Sequence, residues 1–239
     1  KLAVLNLDGS LLSSESFSPK SYLIATATQF DGKLLVSGNF NNIGGVPRSN
    51  IARFNTDRML DIAFNPIVNG IIATQLALPD GKILIAGAFT AVNGFARKNI
   101  ARLNNDGTTD ESFDASPNGL VRAIAQLPNG KIMVAGDFTL VSGQQRGKLA
   151  RLHPNGDLDL GFNLLSDGNV GRMLIQADEK IIISGAFTQL NFTPRAHIAR
   201  LNADGTLDTR FHADTNNFAN GLALQANGKI VVSGSFTDV

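Results

Sequence analysis

The stretch DGKLLVSGNF, Asp31 to Phe40, decides the fold, because it returns as DGKILIAGAF, NGKIMVAGDF, DEKIIISGAF and NGKIVVSGSF. Its lysines stand at Lys33, Lys82, Lys131, Lys180 and Lys229, so each step is 49 residues. A fixed period of this length marks a repeat architecture and outranks any single-residue motif. Set in rows beginning at Lys20, Asn69, Asn118, Asp167 and Asn216, the chain shows four short β-type runs per row. The first, such as Gly119 to Leu127, leads to an Asn-Gly or Asp-Gly turn. The second is the Lys-apolar run, ending at a glycine before the repeated Phe. A Val-Asn-Gly type loop precedes the third (Ile51-Ala-Arg-Phe and its equivalents). The fourth is Leu-Asp-x-x-Phe, ending at Phe64, Phe113, Phe162 or Phe211.

Asn-Gly and Asp-Gly between β-type runs predict hairpins of type I′, in which both central residues need positive φ. The second run is continuously apolar, as in a strand covered on both faces. Paired hairpins with no helix signal predict an all-β, five-bladed β-propeller with four antiparallel strands per blade. An open β-solenoid is the alternative, although its coils are normally shorter. Residues 2–10 align with Ile51 and onward, while the fifth row stops at Val239 inside a loop. Five periods make 245 residues, six more than the chain has, so the ring is expected to close through a blade shared between the termini. The predicted blades are 20–66, 69–115, 118–164, 167–213, and 216–239 plus 1–17, all in one domain.

Composition narrows the function. Lys and Arg number 21 against 20 acids and form no block, so nucleic-acid binding through a basic field is not expected. Apolar runs are too short to insert in a membrane. There is no cysteine, hence no disulfide or thiolate chemistry. The chain begins with Lys1 rather than Met and reads as a processed product or a fragment of a longer protein, with room for further parts of a larger assembly.

The row PDGKILIAGAFTAVNGFARKNIARLNNDGTTDESF resembles the delta-60 repeat of bacterial β-propeller proteins, and the resemblance extends through all five rows. It implies an exported or cell-surface bacterial protein and brings no defined catalytic residues. Three positions depart from the pattern: Glu179 and Arg58 replace turn glycines, and Leu12 replaces an Asp. Glu and Arg disfavour positive φ, so strain is expected at both turns.

A residue repeated in every row is expected to serve the blade. The five lysines read as hairpin-corner side chains lying across a neighbouring blade, and the repeated Phe residues as inter-blade packing. Arg53, Arg102, Arg151 and Arg200 form one column, with Asp61, Asp110, Asp159 and Asp208 eight residues on. Both columns are lost together, at Val4 and Leu12, which predicts that they pair. Asn-x-Asp-Gly-x-x-Asp approaches a calcium loop, but Arg102 would occupy its first ligand position, so a turn is preferred. His153, His197 and His212 fall at different places in the period; neither a metal site nor a cofactor is expected. Asp137, Glu111 and Asp114 are the acids least explained by the repeat.

Binding residues are sought in the loops, where variable side chains sit on a rigid scaffold. Candidates are Phe95 and Phe192, without counterparts in other rows, the loop arginines Arg48, Arg97, Arg146 and Arg195, and the inter-blade residues Asn69, Asn118, Asp167 and Asn216. The expectation is a non-enzymatic binding or scaffold module whose partner is a protein or a cell-surface glycan. A lectin-like propeller is the alternative, and a glycosidase with two facing carboxylates a further one.

Overall fold

The structure, a computed structural model, describes residues 2–5 and 11–15 as strands and residues 22–239 in full. The expected outer half of the shared blade, residues 1–17, therefore lies partly outside the described residues. Every element among the described residues is a β-strand. Near the N-terminus β1 (Leu2–Leu5) pairs antiparallel with β2 (Leu11–Glu15). Row one contains β3 (Tyr22–Thr28), β4 (Leu34–Asn39), β5 (Asn42–Ile43), β6 (Val46–Pro47) and β7 (Ile51–Phe54). Row two contains β8 (Ile71–Ala77), β9 (Ile83–Ala88), β10 (Ala91–Val92), β11 (Phe95–Ala96) and β12 (Ile100–Leu103). Row three contains β13 (Val121–Gln126), β14 (Ile132–Gly136), β15 (Leu140–Val141), β16 (Gln144–Gln145) and β17 (Leu149–Leu152). Row four contains β18 (Val170–Ile175), β19 (Ile181–Gly185), β20 (Gln189–Leu190), β21 (Thr193–Pro194) and β22 (Ile198–Leu201). Row five contributes β23 (Ala219–Leu224) and β24 (Ile230–Gly234).

In rows one to four the apolar second strand lies at the centre of a three-stranded antiparallel sheet, as in β3-β4-β7 and β13-β14-β17. The chain divides into two compact units, residues 1–111 and 112–239, the boundary falling inside the fourth segment of row two. In the first unit, Leu35, Ile51 and Phe64 of row one pack with Ile83, Ile85 and Phe89 of row two. Val36 points the other way, into a cluster with Phe40, Ala52 and Phe54. In the second unit, Met133, Leu149 and Phe162 meet Ile181, Ile183 and Phe187. Within each unit the core thus lies between successive sheets, and the second strands of rows one to four are largely buried. Each buried Phe in it contributes about 2–3 kcal/mol.

Three local expectations are corrected. The fourth run is not a strand but a single antiparallel bridge, Phe54 to Leu60 and Leu152 to Leu158 for example. Its Asp folds the chain back: Asp159 Oδ1 accepts from the Gly161 N–H (3.0 Å) and Asp208 Oδ1 from the Arg210 N–H (3.1 Å). This Asx turn competes with a ladder. Second, the Asp-Gly and Asn-Gly turns place only the glycine at positive φ (Gly32 84°, Gly81 83°, Gly130 81°), and the closing bond runs from the Gln29 N–H to the Lys33 oxygen. These are three-residue loops with a bulged glycine rather than type I′ turns. Third, the type I′ turns lie in the loop after the repeated Phe, which is itself a miniature hairpin: Gly44-Gly45, Asn93-Gly94, Ser142-Gly143 and Asn191-Phe192 all have positive φ at both positions.

The two expected departures keep their turns at a cost. Arg58 has φ 70° and Glu179 φ 63°, where other rows carry glycine. Arg58→Gly and Glu179→Gly are each expected to stabilise the fold by about 0.5–1 kcal/mol, the gain in allowed backbone exceeding the added entropy of the unfolded chain. Denaturant titration checks this, and a loss of stability would show that the side chains hold the turns.

Candidate functional site

The Arg and Asp columns meet as expected and bring the lysines with them. Arg151 Nε lies 2.7 Å from Asp159 Oδ2, and Lys131 Nζ lies 2.8 Å from the same oxygen. The arrangement repeats at Lys82, Asp110 and Arg102 (2.7 Å each), and at Lys180 (3.1 Å), Asp208 and Arg200 (2.9 Å). The guanidinium carbon of Arg53 also sits 4.3 Å from the Phe64 ring centroid, and that of Arg151 5.0 Å from Phe162. Burial opposes the charge on Asp159, but hydrogen bonds from Lys131 and Arg151 outweigh it and hold its carboxyl below the usual range. The Lys180 hydrogen bond, against a smaller cost of burial, draws Asp208 down to about 2. Each triad lies within one row and ties its second strand, its third strand and its Asx turn together.

Several loop candidates also make bonds within the fold. Arg48, Arg97, Arg146 and Arg195 are buried. Each donates to the preceding carbonyl, as Arg48 does to Pro47 (2.7 Å) and Arg195 to Pro194 (2.8 Å). Arg48 further reaches the Asp61 carbonyl (3.1 Å), and Arg97 that of Glu111 (3.1 Å), so the column braces the Asx turn. Asn69, Asn118, Asp167 and Asn216 are clasps. Asn118 Oδ1 accepts from the N–H groups of Thr139 (2.8 Å) and Leu140 (2.9 Å), and Asn69, Asp167 and Asn216 bind their own rows likewise.

The two phenylalanines behave differently. Phe95 lies on β11 at the rim of a cavity of about 560 Å³ with Asn65, Asn93, Asp106 and Glu111. Phe192 is 83% exposed and borders a cavity of about 340 Å³ with Arg146, Lys148, Leu165 and Asp167. Its φ of 63° falls where Gly45, Gly94 and Gly143 stand in the other rows. Asn191 enforces this geometry: its N–H donates to the Leu165 oxygen and its Oδ1 accepts from the Leu165 N–H, both at 2.8 Å. Phe192 is therefore a large apolar ring held out in solvent on strained backbone.

Of the unexplained acids, Asp137 is bound in two-fold fashion by Arg122 (2.9 and 2.6 Å), and Asp114 Oδ1 accepts from the Ser116 hydroxyl (2.6 Å). Among the described residues no group of three or more His, Asp or Glu is placed to hold a metal ion. No helix among them is long and apolar enough to cross a membrane. Arg122 and Arg172 sit on first strands, outside the loops, and each is a charge without counterpart in its column.

A family model described as a domain of unknown function (DUF5122) β-propeller matches residues 29–64, 78–113, 127–162, 176–211 and 225–239. No curated protein sequence matches. Among solved structures, the chain superposes on the extracellular domain of a hybrid two-component system of B. thetaiotaomicron (TM-score 0.58, 14% identity, 94% of this chain and 28% of that one). It also superposes on a gluconolactonase from Xanthomonas campestris (0.58, 14%, 89% and 69%). A third is PorZ, a surface component of the type-IX secretion system of Porphyromonas gingivalis (0.61, 14%, 94% and 34%). The chain thus spans about a third or less of two of these proteins. At such identity the likeness concerns the fold alone.

Proposed function

Because the chain belongs to the DUF5122 β-propeller family, we propose that it is a non-catalytic binding module of an exported bacterial protein. It contacts a macromolecule of the cell surface, protein or glycan, through the tips of its miniature hairpins. Phe192 is the observation that carries this reading. A bulky side chain at a left-handed position costs about 1–2 kcal/mol, and a ring 83% exposed recovers little of that by burial. Stability surrendered at one exposed aromatic is what a contact residue looks like. The same proposal takes all five periods as one domain and one ring, in which β1 and β2 complete the sheet begun by β23 and β24.

The test uses labelled domain and isolated envelopes of the encoding bacterium. Wild type is expected to bind saturably, Phe192→Gly to bind at least tenfold more weakly, as loss of a contact aromatic implies, and Phe95→Ser to weaken binding less. Phe192→Gly is also expected to raise Tm. Undiminished binding by Phe192→Gly would overturn the reading, as would a fall in Tm.

A further inference from the structure

In every row the first and second strands part register at one place. The ladder passes from Leu23 to Ala25, Ile72 to Thr74, Val121 to Ala123, Val170 to Arg172 and Ala219 to Gly221. The cause is close approach: a Cβ on Gly136 would lie 2.1 Å from the Leu120 oxygen, and one on Gly185 2.0 Å from the Asn169 oxygen. A bulge of this kind frees one residue from the ladder and re-aims its side chain. The freed residues are Ile24, Ala73, Arg122, Gly171 and Asn220, so a recurring backbone device places a different residue at the same point of each row.

In the second unit these bulges open onto a cavity of about 370 Å³, lined by Arg122, Asn169, Arg172, Phe218 and Asn220 among others. That size is at the lower end of small-ligand sites, about 300–1,000 Å³. Arg122 already holds one carboxylate in fork geometry, that of Asp137. Arg172 is exposed, donates to its neighbour's Gly171 oxygen (2.9 Å) and has no ion pair among the described residues. Arg122 and Asp137 cancel, and Arg172 leaves the cavity one positive charge. Phe218, 45% exposed, is fixed edge-on by His197 at 5.2 Å between ring centroids. Asn220 and Asn169, whose side chain also hydrogen-bonds Asp137, add amides that can both donate and accept.

We propose that this cavity binds a carboxylate-bearing sugar, a uronic acid unit of an acidic glycan. Arg172 takes the carboxylate through its planar fork. The Phe218 ring packs on the apolar face of the sugar, and the Asn169 and Asn220 amides meet its hydroxyls. The site is separate from the Phe192 hairpin, and neither requires the other.

Titration calorimetry with glucuronate, galacturonate, glucose and acetate tests the assignment. The uronates are expected to bind saturably, with glucose and acetate at least about tenfold weaker, since each lacks one half of the recognition. Arg172→Gln is expected to cost about tenfold or more in uronate affinity at unchanged Tm. Asp137→Ala, which releases Arg122 into the cavity, is expected to tighten uronate binding. Acetate binding as well as glucuronate, uronate binding unchanged in Arg172→Gln, weaker binding in Asp137→Ala, or no saturation at tens of millimolar would each overturn the proposal.

Discussion

Asp159→Ala is expected to lower stability by about 2–3 kcal/mol, a fall in Tm of roughly 5–10 °C for a chain of this length. The substitution leaves Arg151, its side chain 10% exposed, and Lys131, 29% exposed, facing each other without the carboxylate that both bind. A buried cation stripped of its partner costs far more than an exposed pair is worth. Asp137→Ala is the contrast. Its pair with Arg122 is 34–40% exposed on the two side chains, so about 0–1 kcal/mol is expected. Denaturant titration of both variants separates the two environments; equal losses would contradict the assignment of the triads as blade clamps.

The same groups set an acid limit. Asp61, Asp159 and Asp208 have folded pKa values below their unfolded ones, near 3.9. Their contribution is therefore fully present above the unfolded pKa and lost as pH falls through the folded values. Stability is expected to be flat above about pH 5 and to decline from about pH 4 toward the value near 2 of Asp208. Asp159→Ala should flatten part of that decline.

Repetition made most of the architecture legible. The period located the sheets, and the joint loss of Arg and Asp at Val4 and Leu12 predicted a pairing that the structure shows at 2.7–2.9 Å. The third member was hidden. Row five retains Lys229 although its Asp column holds Leu12, so the test of shared absence pointed to Arg alone. Two-residue strands such as β15 and β16 are too short to show alternation, and the miniature hairpins read as loops. Arg48, Arg97, Arg146 and Arg195 were assigned to binding because they lie in loops, although they recur in four rows and by that token brace the fold. Arg122, freed by its bulge, and Arg172, back in the ladder just after the next one, lie within strands rather than loops, where the repeat pattern gives no sign of a binding side chain.

The other large effect concerns row five. Its central strand is as apolar as its counterparts, yet Val231 is 47% exposed, whereas Leu35, Leu84, Met133 and Ile182 are fully buried. β23 and β24 form a two-stranded sheet, and β1 and β2 another. An apolar edge of this kind invites association with other chains. On the proposed ring, β1 covers it, and deletion of residues 1–17 is expected to turn a monomer into an aggregating species. A truncated chain that stays monomeric with unchanged Tm would remove the need for closure.

The register of that closure follows from row one, where Leu35 stands opposite Arg53. Four periods after Leu35 and one period before Arg53, the equivalent pair is Val231 and Val4. The chain contains no cysteine, so Val4→Cys with Val231→Cys introduces a single possible bridge. Directly opposed residues of an antiparallel pair hold their Cβ atoms about 4.5–5.5 Å apart, close enough for a disulfide after small adjustment. Mild oxidation at low protein concentration, followed by non-reducing electrophoresis and thermal denaturation, is the most direct measurement. A five-bladed ring predicts a monomeric, internally bridged product with raised Tm, whereas free thiols or only intermolecular dimers would contradict it.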